Sequence, residues 1–267
     1  MKKTLVFGFS TLLLLAVVGG PAWSQDEISE TDAAPSPAAL PFTRGQRLES
    51  TGRLEEAVRA YQEAIRVKPD YPEAHHQLGL ALAHLGRYSE AAAAFQQAVL
   101  LNPQWSAAQE NLGAAYAKLG RWPEARQAFQ EAVRLHPNNA EAHYHLGLAL
   151  GKLGQDQAAR EEFAQAVRLQ PDLAKAHKNL GMAYVKLNRW PEAGESFKEA
   201  VKLNPEDPEA HYALCAYYLR QGDREAAARE YKTLQGLDAK LAQKLCDLLE
   251  GKPAAPSRPP APGEKLP

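Results

Sequence analysis

Eight histidines and two cysteines are the residues of this chain with the widest chemical range. Imidazole and thiolate groups bind metals, move protons or attack carbon when their spacing brings them together. Four of the histidines, His75, His143, His177 and His211, stand at whole multiples of one fixed interval, a spacing that repetition alone explains. His143 and His145 are two apart, and on a helix such neighbours point to different sides. No His-x-x-x-His or Cys-x-x-Cys is present to close around an ion, so no metal and no cofactor is expected. Nucleophile turns of the Gly-x-Ser-x-Gly kind and glycine-rich phosphate loops are missing as well, and Glu55-Glu56 and Glu161-Glu162 read as solvated helix surface. No catalytic residue is assigned, and the chain is expected not to be an enzyme. Cys215 and Cys246 are separated by nearly the same interval as the histidines. In an oxidising compartment that spacing permits a disulfide between them; the other reading of Cys215 is a small buried residue that happens to be a thiol.

The elements that carry these residues follow from a repeat. Leu/Val-x-Pro recurs at Pro69, Pro103, Pro137, Pro171 and Pro205, each at the thirty-fourth position after the last, and internal repeats outrank other signals. Taking this proline as the thirty-second place gives frames 38–71, 72–105, 106–139, 140–173, 174–207 and 208–241. Apolar places 3, 7, 10, 11 and 14 recur at steps of three and four, the period of one helical face, and places 20, 24, 27, 28 and 30 do the same. Each frame is therefore two helices. Gly86, Gly120, Gly154 and Gly222 sit between them, with Asn188 in the fifth frame, where a helix end favours a left-handed residue. Pro123 and Pro191 open second helices, where a missing N–H costs nothing. Glycine at the eighth place gives up about 1 kcal/mol of helix propensity, which close approach of the paired helices beside the aromatic at place 24 is expected to offset.

Down the columns, the seventh and eighth places read Leu-Gly in the second to fifth frames, from Leu78-Gly79 to Leu180-Gly181. The twentieth is alanine and the twenty-fourth is aromatic in all six, as in Tyr61, Phe95, Phe129, Phe163, Phe197 and Tyr231. This pattern resembles the tetratricopeptide repeat family over about Leu40 to Leu241. The resemblance implies an all-α, right-handed α-solenoid of about six hairpins, whose ends must be modified to meet water. Pro41 is expected to start the first helix late and Arg44 to replace its leucine; Ala239 replaces the closing proline of the sixth frame. A capping helix at 240–250 follows, with Leu241, Leu245, Leu248 and Leu249 as its apolar stripe. The array thus runs from 40 to 250.

Composition bounds what surrounds and contacts the array. Apolar residues make up 45%, enough for a core, and 31 basic residues nearly balance 32 acidic ones. No global field draws the chain to nucleic acid or anionic lipid, so no nucleic-acid partner is expected. Residues 1–24 read as a signal peptide: Lys2 and Lys3, an apolar stretch from Leu5 to Val18 too short to span a bilayer, then Ala22-Trp23-Ser24. Export to the periplasm or beyond is the expectation, with no membrane span after cleavage; an uncleaved N-terminal anchor is the alternative. Residues 25–39 read as an acidic disordered linker and 251–267, with six prolines, as a proline-rich disordered tail.

In the family the face carrying places 2, 5, 6, 9, 12 and 13 lines the concave groove. The thirteenth place here is basic: His84, Lys118, Lys152, Lys186 and Arg220. The sixth supplies Gln77, Asn111, His145 and Asn179, the ninth Leu80, Leu148 and Met182, and the fifth His76, Tyr144, Lys178 and Tyr212. Together they describe an apolar floor, amides and one basic edge, suited to an extended, net-acidic protein or peptide segment with apolar side chains. Lysines in a last helical turn also complement its dipole, which is the other reading of the basic column. A scaffold or adaptor function is expected, with an accessory subunit of an envelope enzyme or secretion machine, or a self-assembling homo-oligomer, as alternatives.

Overall fold

The computed structural model describes residues 36–249; the expected signal peptide, the expected acidic linker through residue 35 and the expected proline-rich tail lie outside the described residues, as do the side chains of Asp247, Leu248 and Leu249. Among the described residues there are thirteen α-helices and no strand. They form six hairpins: α1 Ala39–Ser50 with α2 Leu54–Val67, α3 Pro72–His84 with α4 Tyr88–Leu101, α5 Ser106–Lys118 with α6 Trp122–Leu135, α7 Ala140–Lys152 with α8 Asp156–Leu169, α9 Ala174–Lys186 with α10 Trp190–Leu203, and α11 Pro208–Gln221 with α12 Arg224–Leu237. The last helix, α13, Ala239–Leu249, packs on α11 and α12. Each hairpin also packs on the next, so the architecture is the expected α-solenoid.

Inside a hairpin the eighth-place glycine is the contact point. A Cβ built on Gly79 would lie 2.6 Å from Cε1 of Phe95, and Gly113, Gly147 and Gly181 meet Phe129, Phe163 and Phe197 equally closely. All four phenylalanines are buried, and full burial of such a ring stabilises by about 1.5–3 kcal/mol, more than the helix propensity lost at the glycine. The turn between the helices needs a left-handed residue; Asn188, at φ 59°, fills in the fifth hairpin the place that glycine fills in the other five.

Histidine at the fourth place joins consecutive hairpins. Nε2 of His75, His143, His177 and His211 donates to the carbonyl of Pro69, Pro137, Pro171 and Pro205 respectively, at 2.9–3.0 Å. Each of these prolines stands two residues past the end of a second helix, in the turn between repeats, so each imidazole ties a turn carbonyl of the preceding repeat to the next first helix. In the fourth and sixth repeats the other ring nitrogen meets a carboxylate, His143 Nδ1 to Glu162 and His211 Nδ1 to Glu230, both at 2.6 Å.

At the front, Pro41 does not delay the first helix: α1 begins at Ala39 and holds Pro41, buried, in its first turn, where no N–H bond is required. Arg44, in the leucine column, is exposed and paired with Glu63, a polar finish to the array. At the back, Leu245 and Ala242 of α13 close over Leu234 and Cys215.

The hairpins are not stacked uniformly. One core runs from the first hairpin to α9, with a small cluster of Ala140, Ala166, Leu173 and Ala176 beside it where repeats four and five meet; a further cluster spans α9 to α11 around Phe197 and Leu214, and the last belongs to α11 to α13. The close approach of consecutive first helices, kept from α1 and α3 through α7 and α9, loosens between α9 and α11. The cause is one exchange of sizes. Place 10 is alanine in repeats two to five, whereas repeat six has Tyr217, whose ring covers Gly194 at place 21 of repeat five.

Candidate functional site

First helices of successive repeats place their ninth residues side by side, giving a floor of Leu80, Ala114, Leu148, Met182 and Ala216 with crevices at the joints. Between repeats two and three, Leu80, His84, Asn111 and Lys118 line a crevice of about 240 Å³ with Tyr88 and Phe95. Between repeats four and five, Leu148, Lys152, Asn179, Met182 and Lys186 line one of about 240 Å³ with Asp156 and Phe163. Lys178, Asn179, Met182 and Tyr212 line the crevice between repeats five and six, about 430 Å³, with Trp190, Phe197, Ala213 and Ala216 among its walls. Eleven of the residues proposed from sequence as groove-lining are thus gathered into three crevices along one face.

The remaining five are placed differently. His76 is 7% exposed and packed between Trp105, ring centroids 4.4 Å apart, and Phe95; it is not available to a ligand. Asn111 donates to its Nε2 at 2.9 Å, so the proton sits on Nδ1, which has no partner, and burial pushes the pKa down. Gln77 is half-buried on α3. Tyr144 is half-buried, with the Lys175 ammonium 4.6 Å above its ring and burial raising its phenol pKa. His145 stacks on Phe129 and lies 3.4 Å from Glu110. Arg220 sits over the Trp190 ring at 4.2 Å.

Two rims of different electrostatics border the floor. At the rim of places 2 and 5, charges are paired across repeats: Glu141 with Lys175 at 2.6 Å, and Lys178 with both Asp207 and Glu209 at 2.7 Å. Lys178, its side chain 16% exposed, is therefore an internal tie between repeats five and six. Burial works against its charge, but the hydrogen bonds to Asp207 and Glu209 prevail and its pKa is raised. Glu110 belongs to this rim too and is not among the residues that sequence picks out, although it stands in the fifth column; the neighbouring His145 imidazole is the main cause holding its carboxyl below the usual range.

The thirteenth-place rim is basic, and from the third repeat onward its cations face the residue at place 17 of the preceding repeat. Lys152 is 5.8 Å from the Trp122 ring centroid. Lys186 bonds Asp156 at 2.9 Å and, at the end of the neighbouring first helix α7, the Gly151 carbonyl at 3.3 Å. Lys118 and Lys152 have no carboxylate partner among the described residues and form the open part of the edge. Asn179, which lines two of the crevices, donates to the Lys175 carbonyl of its own helix at 2.8 Å.

The two thiols do not form the disulfide that their spacing allows. Cys215 Sγ donates to the Ala227 carbonyl at 3.2 Å, and Cys246 Sγ is 3.0 Å from the Tyr231 hydroxyl. Burial pushes the Cys215 pKa up to about 11, so the thiol is protonated and plays the part of a small core residue.

A family model for tetratricopeptide repeats, described as the Cilia and flagella-associated protein 70 C-terminal domain, matches residues 15–243. No curated protein matches the chain. Among solved structures, MamA (residues 41 to end) from Desulfovibrio magneticus RS-1 is 32% identical, with a TM-score of 0.60 over 64% of this chain and 96% of that one. YrrB, a TPR protein with an unusual peptide-binding site, is 23% identical with a TM-score of 0.60, over 71% of this chain and 99% of its own. PilW, a type IV pilus biogenesis factor, is 18% identical with a TM-score of 0.66, covering 81% and 100%; at these identities the last two likenesses concern the fold.

Proposed function

The chain belongs to the tetratricopeptide repeat family, whose arrays are protein-interaction scaffolds, and from that premise we propose that it is an exported adaptor gripping an extended, net-acidic segment of a partner protein in its groove. The observation that carries this reading is the pairing of an apolar floor with a basic rim whose Lys118 and Lys152 have no carboxylate partner among the described residues, opposite a rim whose lysines are already tied up in cross-repeat ion pairs. Exposed charges of this kind act mainly on the rate of encounter, apolar floor contacts on the rate of escape. The leader in residues 1–24 supports action outside the cytoplasm, in the assembly of an envelope or secreted complex; among the described residues no helix is long and apolar enough to cross a membrane.

The test places a photo-crosslinking amino acid at Leu148, on the floor, and at Gln97, an exposed residue of α4, in intact cells, and reads the adducts by mass spectrometry. The expected result is one partner captured from Leu148 and lost or strongly reduced in Lys118→Glu/Lys152→Glu, with the helical circular dichroism unchanged. The same adduct masses report whether the chain begins at Gln25. Capture from Gln97 alone, or capture indifferent to the charge reversal, would sink the groove reading. An adduct consisting of two copies of this chain would replace it with self-assembly.

A further inference from the structure

Three differences converge on the crevice between repeats five and six. Its two downstream groove positions are Ala213 and Ala216, where repeat five has Asn179 and Met182. Tyr217 on Gly194 props the adjoining helices, where the other joints have alanine. The cavity left behind is about 430 Å³ against about 240 Å³ at the two other crevices, and only the larger falls within the roughly 300–1,000 Å³ of ligand sites. Met182, 46% exposed, stands at its mouth, and Trp190 forms a wall.

The charges around it are sided. On one rim Lys178 is outnumbered by Asp207 and Glu209, and Glu209 is 73% exposed. On the other, the guanidinium of Arg220, an exposed residue, sits over the Trp190 ring with no carboxylate partner among the described residues, which leaves it free to take a planar acceptor. We infer that this crevice is the selective subsite of the groove: it takes one leucine- to phenylalanine-sized side chain of the bound segment, and Arg220 takes a carboxylate next to that side chain. Glu209 repels the same carboxylate from the opposite rim, which gives the segment its direction. The inference rests on the groove reading and narrows it to a partner motif, a bulky apolar residue beside an acidic one.

The chain has two methionines, Met1 and Met182, so methyl-13C methionine labelling gives a reporter at the mouth of the crevice. The probes are acetylated hexapeptides at millimolar concentration: Gly-Gly-Leu-Asp-Gly-Gly and its Asp-Leu counterpart, with Leu replaced by Ala or Asp by Lys as controls. Titration with at least one of the first two is expected to shift the Met182 methyl, with affinity lowered at least tenfold in both controls. The filled variant Ala213→Asn/Ala216→Leu carries residue types that other repeats hold at these places, so it folds, and it is expected to abolish the shift. A Met182 methyl that ignores both Leu-containing probes, responds equally to the Lys control, or still responds in the filled variant overturns the subsite. The charge reversal Lys118→Glu/Lys152→Glu separates the two readings: it leaves this shift in place while reducing capture of the groove partner. Loss of the subsite with that dependence intact leaves the groove standing.

Discussion

The joint between repeats four and five and the joint between repeats five and six are made from the same two helix surfaces, yet they pack by opposite rules. In the first, the small residue is Ala183 at place 10 and the large one Arg160 at place 21, and the core continues through the contact. In the second, the large residue is Tyr217 and the small one Gly194, the core is interrupted, and the groove above is wider. What differs is a pair of columns read across frames, and its effect surfaces on the concave face one side chain away. In a solenoid the hairpin is specified within a frame and the binding surface between frames.

The comparison can be broken most forcefully at the glycines. Gly147→Val puts side-chain atoms into Phe163, which is enclosed and has nowhere to go. A loss of about 3 kcal/mol in urea unfolding is expected, at the upper end for overpacking. Gly194→Val displaces only Tyr217, a half-buried ring that can swing outward, and is expected to cost less than half as much. Equal costs would show that the second joint is as rigid as a hairpin interior.

A smaller effect sharpens the size exchange itself. Tyr217→Ala leaves Gly194 uncovered and is expected to cost about 2 kcal/mol, less than a fully buried aromatic. Adding Gly194→Ala returns the joint to small-on-small packing and is expected to recover about 1 kcal/mol, a coupling that a double-mutant cycle measures directly. Strict additivity of the two changes would mean that the residues do not act as a pair.

The smallest effect concerns pH. The joint into repeat five has His177 facing Ser196 at the twenty-third place, whereas the joint into repeat four has His143 on Glu162. The hydrogen bond to Glu162 is the main cause that raises the His143 pKa above its ordinary value. A raised pKa means that the folded state holds the proton more tightly, so the contribution is complete below the unfolded value and fades as pH rises through the folded one. Its size is expected to be about 1.5 kcal/mol, the range of a hydrogen bond to a charged group. Glu162→Gln should flatten thermal stability between pH 5 and pH 8; an unchanged slope would detach the pH response from this pair.

The parts of the molecule legible in the sequence are those in which both partners recur in fixed columns of one frame. Glycine at place 8 and the aromatic at place 24 recur together, so their contact can be inferred, as can the turn at Asn188. Residues whose partner stands at the last place of the frame, which changes from repeat to repeat, or in the next frame are less transparent. His76 stands in a groove column, but Trp105, the last residue of its repeat, folds over it. Lys178 stands in a groove column too, but the carboxylates that bind it, Asp207 and Glu209, belong to the far end of its frame and the start of the next. Pro41 reads as a helix breaker, although the first turn is where proline is tolerated. Neither thiol shows in sequence that its sulfur faces a carbonyl or a hydroxyl in preference to the other sulfur.

The Tyr217 and Gly194 pair has a consequence for how the gene can change length. Tandem arrays grow and shrink by gain or loss of whole units, and excising one complete frame leaves every other helix intact. Removing the fifth unit, however, would set Tyr217 against Arg160, and removing the sixth would leave Gly194 bare beneath α13. Those two units are therefore expected to be inherited together as one block, while units two to four, which meet their neighbours through alanine, stay free to be duplicated or lost one at a time.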